Sequence, residues 1–233
     1  MNSIKKTARV AGILYLIVII TGIFAQFVRL SLIVPGDAAT TANSIMASES
    51  LFRLSIVSAL MIQIVNILLV LVLYKLLKPV NKNHALLMVI FVLVSVPIMF
   101  INMLNHFAAL LLLSGANYLA VFEADQLHAL VMLFLDLLDH GTLIAQIFWG
   151  IWLLPLGYLV FKSGFLPKIL GILLMIAAFG YVAGSFASFL FPNYDGIIEL
   201  VYYEPAIAEI LFVFWLLIRG VNESKLKSVS VAH

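Results

Sequence analysis

Two short stretches carry most of the side chains that could do chemistry. FLDLLDHGTLIAQIFWG, residues 134–150, sets Asp136, Asp139 and His140 at the mouth of an apolar run. YYEPAIAE, residues 202–209, sets Glu204 and Glu209 inside another. Asp136 and His140 are four residues apart, so in a helix they share one face, with Asp139 on the adjoining face. Joined by His106, they would offer two imidazoles and a carboxylate, an acceptable zinc set if they converge with one open position. Such a centre suits metal-assisted hydrolysis with Asp139 as base. No H-E-x-x-H or comparably specific motif accompanies it. Arg29 and Arg53 offer a second chemistry at the same expected level, where Asn102 and Asn105 also fall: binding of an anion or a lipid headgroup, or balancing of Glu204. The third reading is an acidic, hydrated helix end whose Asp and His groups satisfy one another and the interface.

Glu209 poses the sharper problem, because an ionisable group at a bilayer centre costs at least about 2.5–3.5 kcal/mol. Counted back from Arg219 at 1.5 Å per residue, Glu209 lies roughly 15 Å deep and Glu204 roughly 22 Å. From Lys75, Asn66 and Gln63 come out at roughly 14 and 18 Å, and they share a helix face. Pro205 removes a backbone donor beside Glu204 and frees a carbonyl one turn earlier, near Val201. Two uses follow for this layer. Glu209 could be interhelical glue, protonated and hydrogen-bonded to Gln63 or Asn66. Alternatively, Glu204 and Glu209 with Gln63 and Asn66 form a proton- or cation-binding site.

The elements that must position these groups follow from composition. Of 233 residues, 64% are hydrophobic and only 10% charged, against roughly 25% charged in a soluble domain. The chain cannot cover itself with polar surface in water. It is therefore read as an all-α polytopic membrane bundle forming a single integral membrane domain over 1–233. Six segments are long and apolar enough to span: about 10–34, 53–77, 85–113, 141–162, 168–190 and 197–219. The first follows Lys5, Lys6 and Arg9 like a signal peptide, but it is long and no small-residue cleavage site closes it, so it is expected to stay as a helix. Pro35-Gly36-Asp37 breaks the first exit, and Asp37 is placed to cap a short amphipathic helix over 37–47. Lys78-Pro79, Ser114-Gly115, Ser163-Gly164 with Pro167, and Pro192 to Gly196 supply the other breaks. Residues 123–140 read as an outer helical extension. Unbroken helix from 123 to 162 would run roughly 60 Å, twice the hydrocarbon thickness, so the segment either projects or bends at Gly141.

Charge orients the bundle. With six spans, Lys5, Lys6, Arg9, Lys75, Lys78, Lys82, Lys162, Lys168, Arg219, Lys225 and Lys227 fall on one side, eleven of the thirteen basic residues. The positive-inside rule then places both termini in the cytoplasm. The net charge of +2 gives no footing for nucleic acid, and without cysteine there is no disulfide, thiol nucleophile or thiolate metal site. Gly180, Gly184 and Ser188 form a small-residue stripe suited to close helix packing, within the chain or in a homo-oligomer.

The stretches SLIVPGDAATTANSIMASESLFRLS, LYKLLKPVN, FAALLLLSGANYL and GYLVFKSGFLPKILGILL, in that order, resemble the bacterial domain of unknown function 4386 family. The resemblance covers nearly the whole chain. It implies a bacterial multi-span protein of the cytoplasmic membrane and brings with it no activity and no catalytic residues. The expected function is binding of a small ligand, ion or lipid headgroup in an outward-facing polar cavity, serving transport or sensing. The alternatives are an intramembrane metal-dependent hydrolase and a structural or assembly partner. No cofactor is expected unless zinc occupies the His106, Asp136, His140 set; the lipid bilayer is the one certain surrounding partner.

Overall fold

The computed structural model describes residues 3–191 and 195–222, and the side chains of 4–191 and 206–222. Among the described residues the chain is helical, without strands. In hydrocarbon every backbone donor and acceptor must be satisfied within the segment, so apolar runs of this length close into helices. In chain order these are α1 (Ser3–Leu32), α2 (Ala38–Ala47), α3 (Glu49–Leu77), α4 (Lys82–Asn102), α5 (Leu104–Leu112), α6 (Ala124–Ile151), α7 (Leu153–Lys162), α8 (Lys168–Leu190) and α9 (Asp195–Ile218), with a 3-10 turn at Asn117–Leu119.

Five stretches among the described residues are long and apolar enough to cross a membrane: Ile4–Leu32, Glu49–Leu77, Lys82–Leu112, Ala124–Lys162 and Lys168–Leu190. The segment expected to span over 197–219 is α9, of which Ala206–Ile218 forms a shorter apolar helix among the described residues. Residues 192–194 of the expected Pro192–Gly196 break lie outside the described residues. Along α1, Ile13, Ile20, Ile23, Phe27 and Leu30 are all more than half exposed. In water such an apolar row would be a liability; against acyl chains it is the surface a spanning helix needs.

Helix boundaries follow local chemistry. Asp37 caps α2 as its sequence promised, the carboxylate accepting from Thr40 N at 2.9 Å and from Thr40 Oγ1 at 2.7 Å. Gly36 supplies the positive φ of 76° that this turn requires. At Gly141, where the segment is expected either to project or to bend, α6 continues as unbroken helix and ends at Ile151. The irregularity comes instead at Trp152, just ahead of Pro155, whose ring leaves no N–H for the Ile151 carbonyl. α6 and α7 together give 39 residues of apolar helix, roughly 58 Å.

The chain divides into two compact units: residues 1–17, 65–96 and 144–233 form the first, and 18–64 with 97–143 the second. In the first, Leu73, Leu77, Met88, Leu153, Leu156, Leu174, Phe212 and Leu216 are fully buried. α7 packs on α8, and α8 on α9. α7 and α8 approach so closely at a glycine pair that a Cβ on Gly157 would lie 2.6 Å from the Gly171 carbonyl oxygen. In the second unit, Val28, Ile45, Phe52, Ile56, Ala109 and Val131 form the core. Ile45 of the capped α2 is buried there, which explains why that short helix needs a defined start.

Candidate functional site

Within the first unit, three helices bring polar groups together in an apolar surround. The Tyr15 hydroxyl of α1 donates to Glu209 Oε2, and the Tyr181 hydroxyl of α8 donates to Glu209 Oε1 at 2.9 Å. Each carboxylate oxygen thus has its own donor, from a different helix. Tyr15 is 2% exposed, and its ring lies 6.0 Å from Trp152 and 6.5 Å edge-on from Phe212. The aromatic walls thin the water around the carboxylate, which strengthens both hydrogen bonds.

Two glycines set this geometry. A Cβ on Gly12 would come within 2.9 Å of the Leu217 side chain and 3.1 Å of its backbone nitrogen, so Gly12 lets α1 lie close against α9. Tyr15 stands three residues further along α1, and Glu209 about two turns back from Leu217 on α9. Gly150 does the same for α8: a Cβ there would meet Val182 Cγ2 at 2.8 Å and Tyr181 Cβ at 2.9 Å. Gly12 brings α1 and α9 close enough for Tyr15 to reach the carboxylate, and Gly150 lets α6 pack closely behind Tyr181.

The sequence reading expected Gln63 or Asn66 as donors to Glu209; the donors are Tyr15 and Tyr181. Gln63 is buried at 2% exposure and gives its amide N–H to the Ala59 carbonyl of its own helix at 3.4 Å. Asn66 is half-buried on α3. A depth argument could have found the tyrosines. Tyr15 is roughly 15 Å from Lys5 along α1 and Tyr181 roughly 20 Å from Lys168 along α8, close to the depth of Glu209 from Arg219. A phenol at that depth wants a partner. The Glu204 side chain lies outside the described residues.

In the second unit the polar residues pair off. Arg29 of α1 forms an ion pair with Asp139 of α6, both side chains being roughly two-fifths exposed. Arg53 pairs at 2.6 Å with Glu49, one turn earlier on its own helix. The expected balance of Glu204 by Arg29 or Arg53 involves a side chain outside the described residues. Asn102 is buried; its amide donates to the Leu138 carbonyl at 2.8 Å and to Thr142 Oγ1 at 3.2 Å, and its Oδ1 accepts from Asn105 Nδ2 at 2.9 Å. The seat for that amide is Gly141: a Cβ there would fall on the Asn102 carboxamide. Gly141, one of whose readings is a bend in α6, is the place where α4 and α6 lock.

The zinc set is not assembled. Among the described residues no three His, Asp or Glu side chains are grouped to hold a metal ion. His140 Nδ1 donates to the Asp136 backbone carbonyl at 2.8 Å, so the helix face they share ties side chain to backbone. His106 stacks edge-on against Phe52 at 5.4 Å, and Asp139 is taken by Arg29.

Residues 10–220 match the family described as "Domain of unknown function (DUF4386)". A relative from Archaeoglobus fulgidus, described as an uncharacterized protein, is 35% identical over 176 residues, covering 75% of this chain and 88% of the relative. No solved structure matches. With the family matched over all but the ends of the sequence, this chain is a member of the DUF4386 family of multi-helix proteins.

Proposed function

We propose that the protein spans the cytoplasmic membrane six times, with both termini in the cytoplasm, and that Glu209 is a proton- or cation-responsive carboxylate serving transport or sensing. Five apolar helices plus α9 support the span count. The segregation of basic residues to one set of loops and ends supports the orientation. The observation that carries the function is the convergence of Tyr15 and Tyr181 on the two oxygens of Glu209.

The chemistry of that arrangement is a switch. An ionised carboxylate accepts from both phenols at once. When a proton arrives, one oxygen becomes a donor and holds its phenol less well, so a tie between α9 and α1 or α8 weakens. A small cation displacing a phenol proton contact would act on the same three helices. A charge change at one atom pair is thereby converted into a change in helix packing.

Infrared difference spectroscopy of the protein in lipid nanodiscs tests this. A protonated-carboxyl band that appears on acidification and is missing in Glu209→Gln is expected. Proteoliposomes loaded with a pH-sensitive dye should show the matching loss of proton-linked flux or pH response in that variant. Should Glu209→Gln leave both the band and the response of the wild type intact, the reading fails and the trio is a static tie.

A further inference from the structure

The first unit holds a second polar feature that the Glu209 trio does not use. A cavity of about 440 Å³ opens at the end of the unit where α1 begins and α9 stops. That volume lies in the range of small-molecule sites, about 300–1,000 Å³. Its wall includes Lys5, Arg219, Trp215 and Asn222, closed by Phe165 and Gly220. Two cationic side chains line it, and no carboxylate does among the described residues. Trp215 contributes ring surface to the wall, its indole N–H being sealed from solvent. Two cations without a facing carboxylate leave the cavity suited to an anion.

The walls are held in place. The Asn222 N–H donates to the Phe165 carbonyl at 3.1 Å, pinning the segment after α9 to the α7–α8 turn. Gly220, at a φ of 64°, accepts the left-handed turn that ends α9, and a Cβ there would contact the Lys5 stem at 3.8 Å. The C-terminal end of α9 carries about half a negative charge, which the two full charges of Lys5 and Arg219 outweigh. The end-turn carbonyl of Trp215 is moreover occupied, accepting from the Arg219 and Gly220 amides at 3.0 and 2.9 Å.

We propose that this cavity binds a phosphate group, with Lys5 and Arg219 neutralising it. Both cations sit at span ends, at the depth of a lipid headgroup, so the phosphate belongs to an anionic lipid or to a soluble phosphate ester. The site does not depend on the reading of Glu209.

The test uses the full chain in phosphatidylcholine nanodiscs doped with phosphatidylglycerol, with retained anionic lipid counted by native mass spectrometry. Replacing Lys5→Gln and Arg219→Gln together should lower retention by about tenfold. Lys82→Gln, a basic residue of the same unit outside the cavity, should leave it unchanged. Swapping charges in kind, Lys5→Arg with Arg219→Lys, should preserve it in a way that a fold defect could not mimic. Competition by sodium phosphate assigns the site to soluble phosphates; retention in its presence assigns it to a lipid headgroup. Wild-type retention in the Lys5→Gln, Arg219→Gln protein, or an equal loss in Lys82→Gln, overturns the proposal.

Discussion

The two units of the chain treat their ionisable groups in opposite ways. In the first, a single carboxylate, Glu209, is held by two phenols from two other helices, with aromatic rings around it. In the second, Arg29 and Asp139 neutralise each other, and Arg53 and Glu49 do the same within one helix turn. An ion pair at a partly exposed level is already charge-balanced and can draw on water. A lone carboxylate held by neutral donors changes its hydrogen bonds whenever it gains or loses a proton. The difference separates a group that can respond from groups that mainly hold helices in place.

The units also differ in how they bring helices together. The first uses glycine against backbone, at Gly157 and Gly171, and at Gly12 and Gly150 near the trio. The second uses a buried amide, Asn102, seated on Gly141. The largest expected effect comes from the first device. Gly157→Ala puts a methyl 2.6 Å from a backbone oxygen that cannot step aside, and should cost about 3 kcal/mol in detergent unfolding, the upper end for overpacking. A loss under about 1 kcal/mol would show that α7 and α8 can separate cheaply.

Gly141→Ala should cost about 2 kcal/mol for the same reason, with a side-chain rather than a backbone neighbour. Here the comparison can be sharpened by a cycle. Because the added methyl's nearest neighbours are all atoms of the Asn102 carboxamide, the double variant with Asn102→Ala should be less destabilised than the sum of the singles, by about 1 kcal/mol. Strict additivity would mean that the two residues do not share the seat.

Tyr15→Phe and Tyr181→Phe should each cost about 1 kcal/mol, as for single hydrogen bonds. They should also shift the pH at which the Glu209 carboxyl band appears, whereas Asp139→Asn should leave that pH alone. The Arg29–Asp139 pair is worth less, about 0.5 kcal/mol, and its contribution should shrink between low and high salt. Salt-insensitivity of that pair would erase the contrast drawn between the units.

The smallest effect belongs to Asp37. Its carboxyl is held below its ordinary value of 3.8 by the Thr40 backbone N–H and then the Thr40 hydroxyl. A depressed folded value means that its stabilisation is complete above the unfolded value and is lost as pH falls through the folded one. The protection of the Thr40 amide, relative to its intrinsic exchange rate at each pH, should therefore fall on acidification in the wild type, and far less in Asp37→Asn, whose cap does not titrate.

Much of this was written in the chain. Asp37 announced the start of α2 because a side-chain oxygen before an apolar run satisfies a free helix amide, a purely local event. Membrane-spanning helices were legible for a similar reason: hydrocarbon leaves an apolar run of some twenty residues with no better way to satisfy its backbone. Glu209 stood out by its depth alone. Partners were another matter. Asp136 and His140 share a face, as their spacing requires, yet that face binds His140 to a carbonyl of its own helix and not to His106. Gly141 could be read as a hinge or as a gap, since the sequence shows a missing side chain but not what fills the space.

Sequence alone therefore determined the solvent of this protein, its helices and their ends, and the few groups costly enough to need an account. Only the tertiary structure decided that Tyr15 and Tyr181 are the groups that meet Glu209, that Asp139 belongs to Arg29, and that Lys5 and Arg219 line one cavity. The reason is physical. Burial, capping and backbone satisfaction are set within one segment and one solvent. Which helix faces meet is set by packing, where a few glycines fix distances to residues on other helices that no local pattern encodes, as Gly12 does against Leu217, 205 residues away.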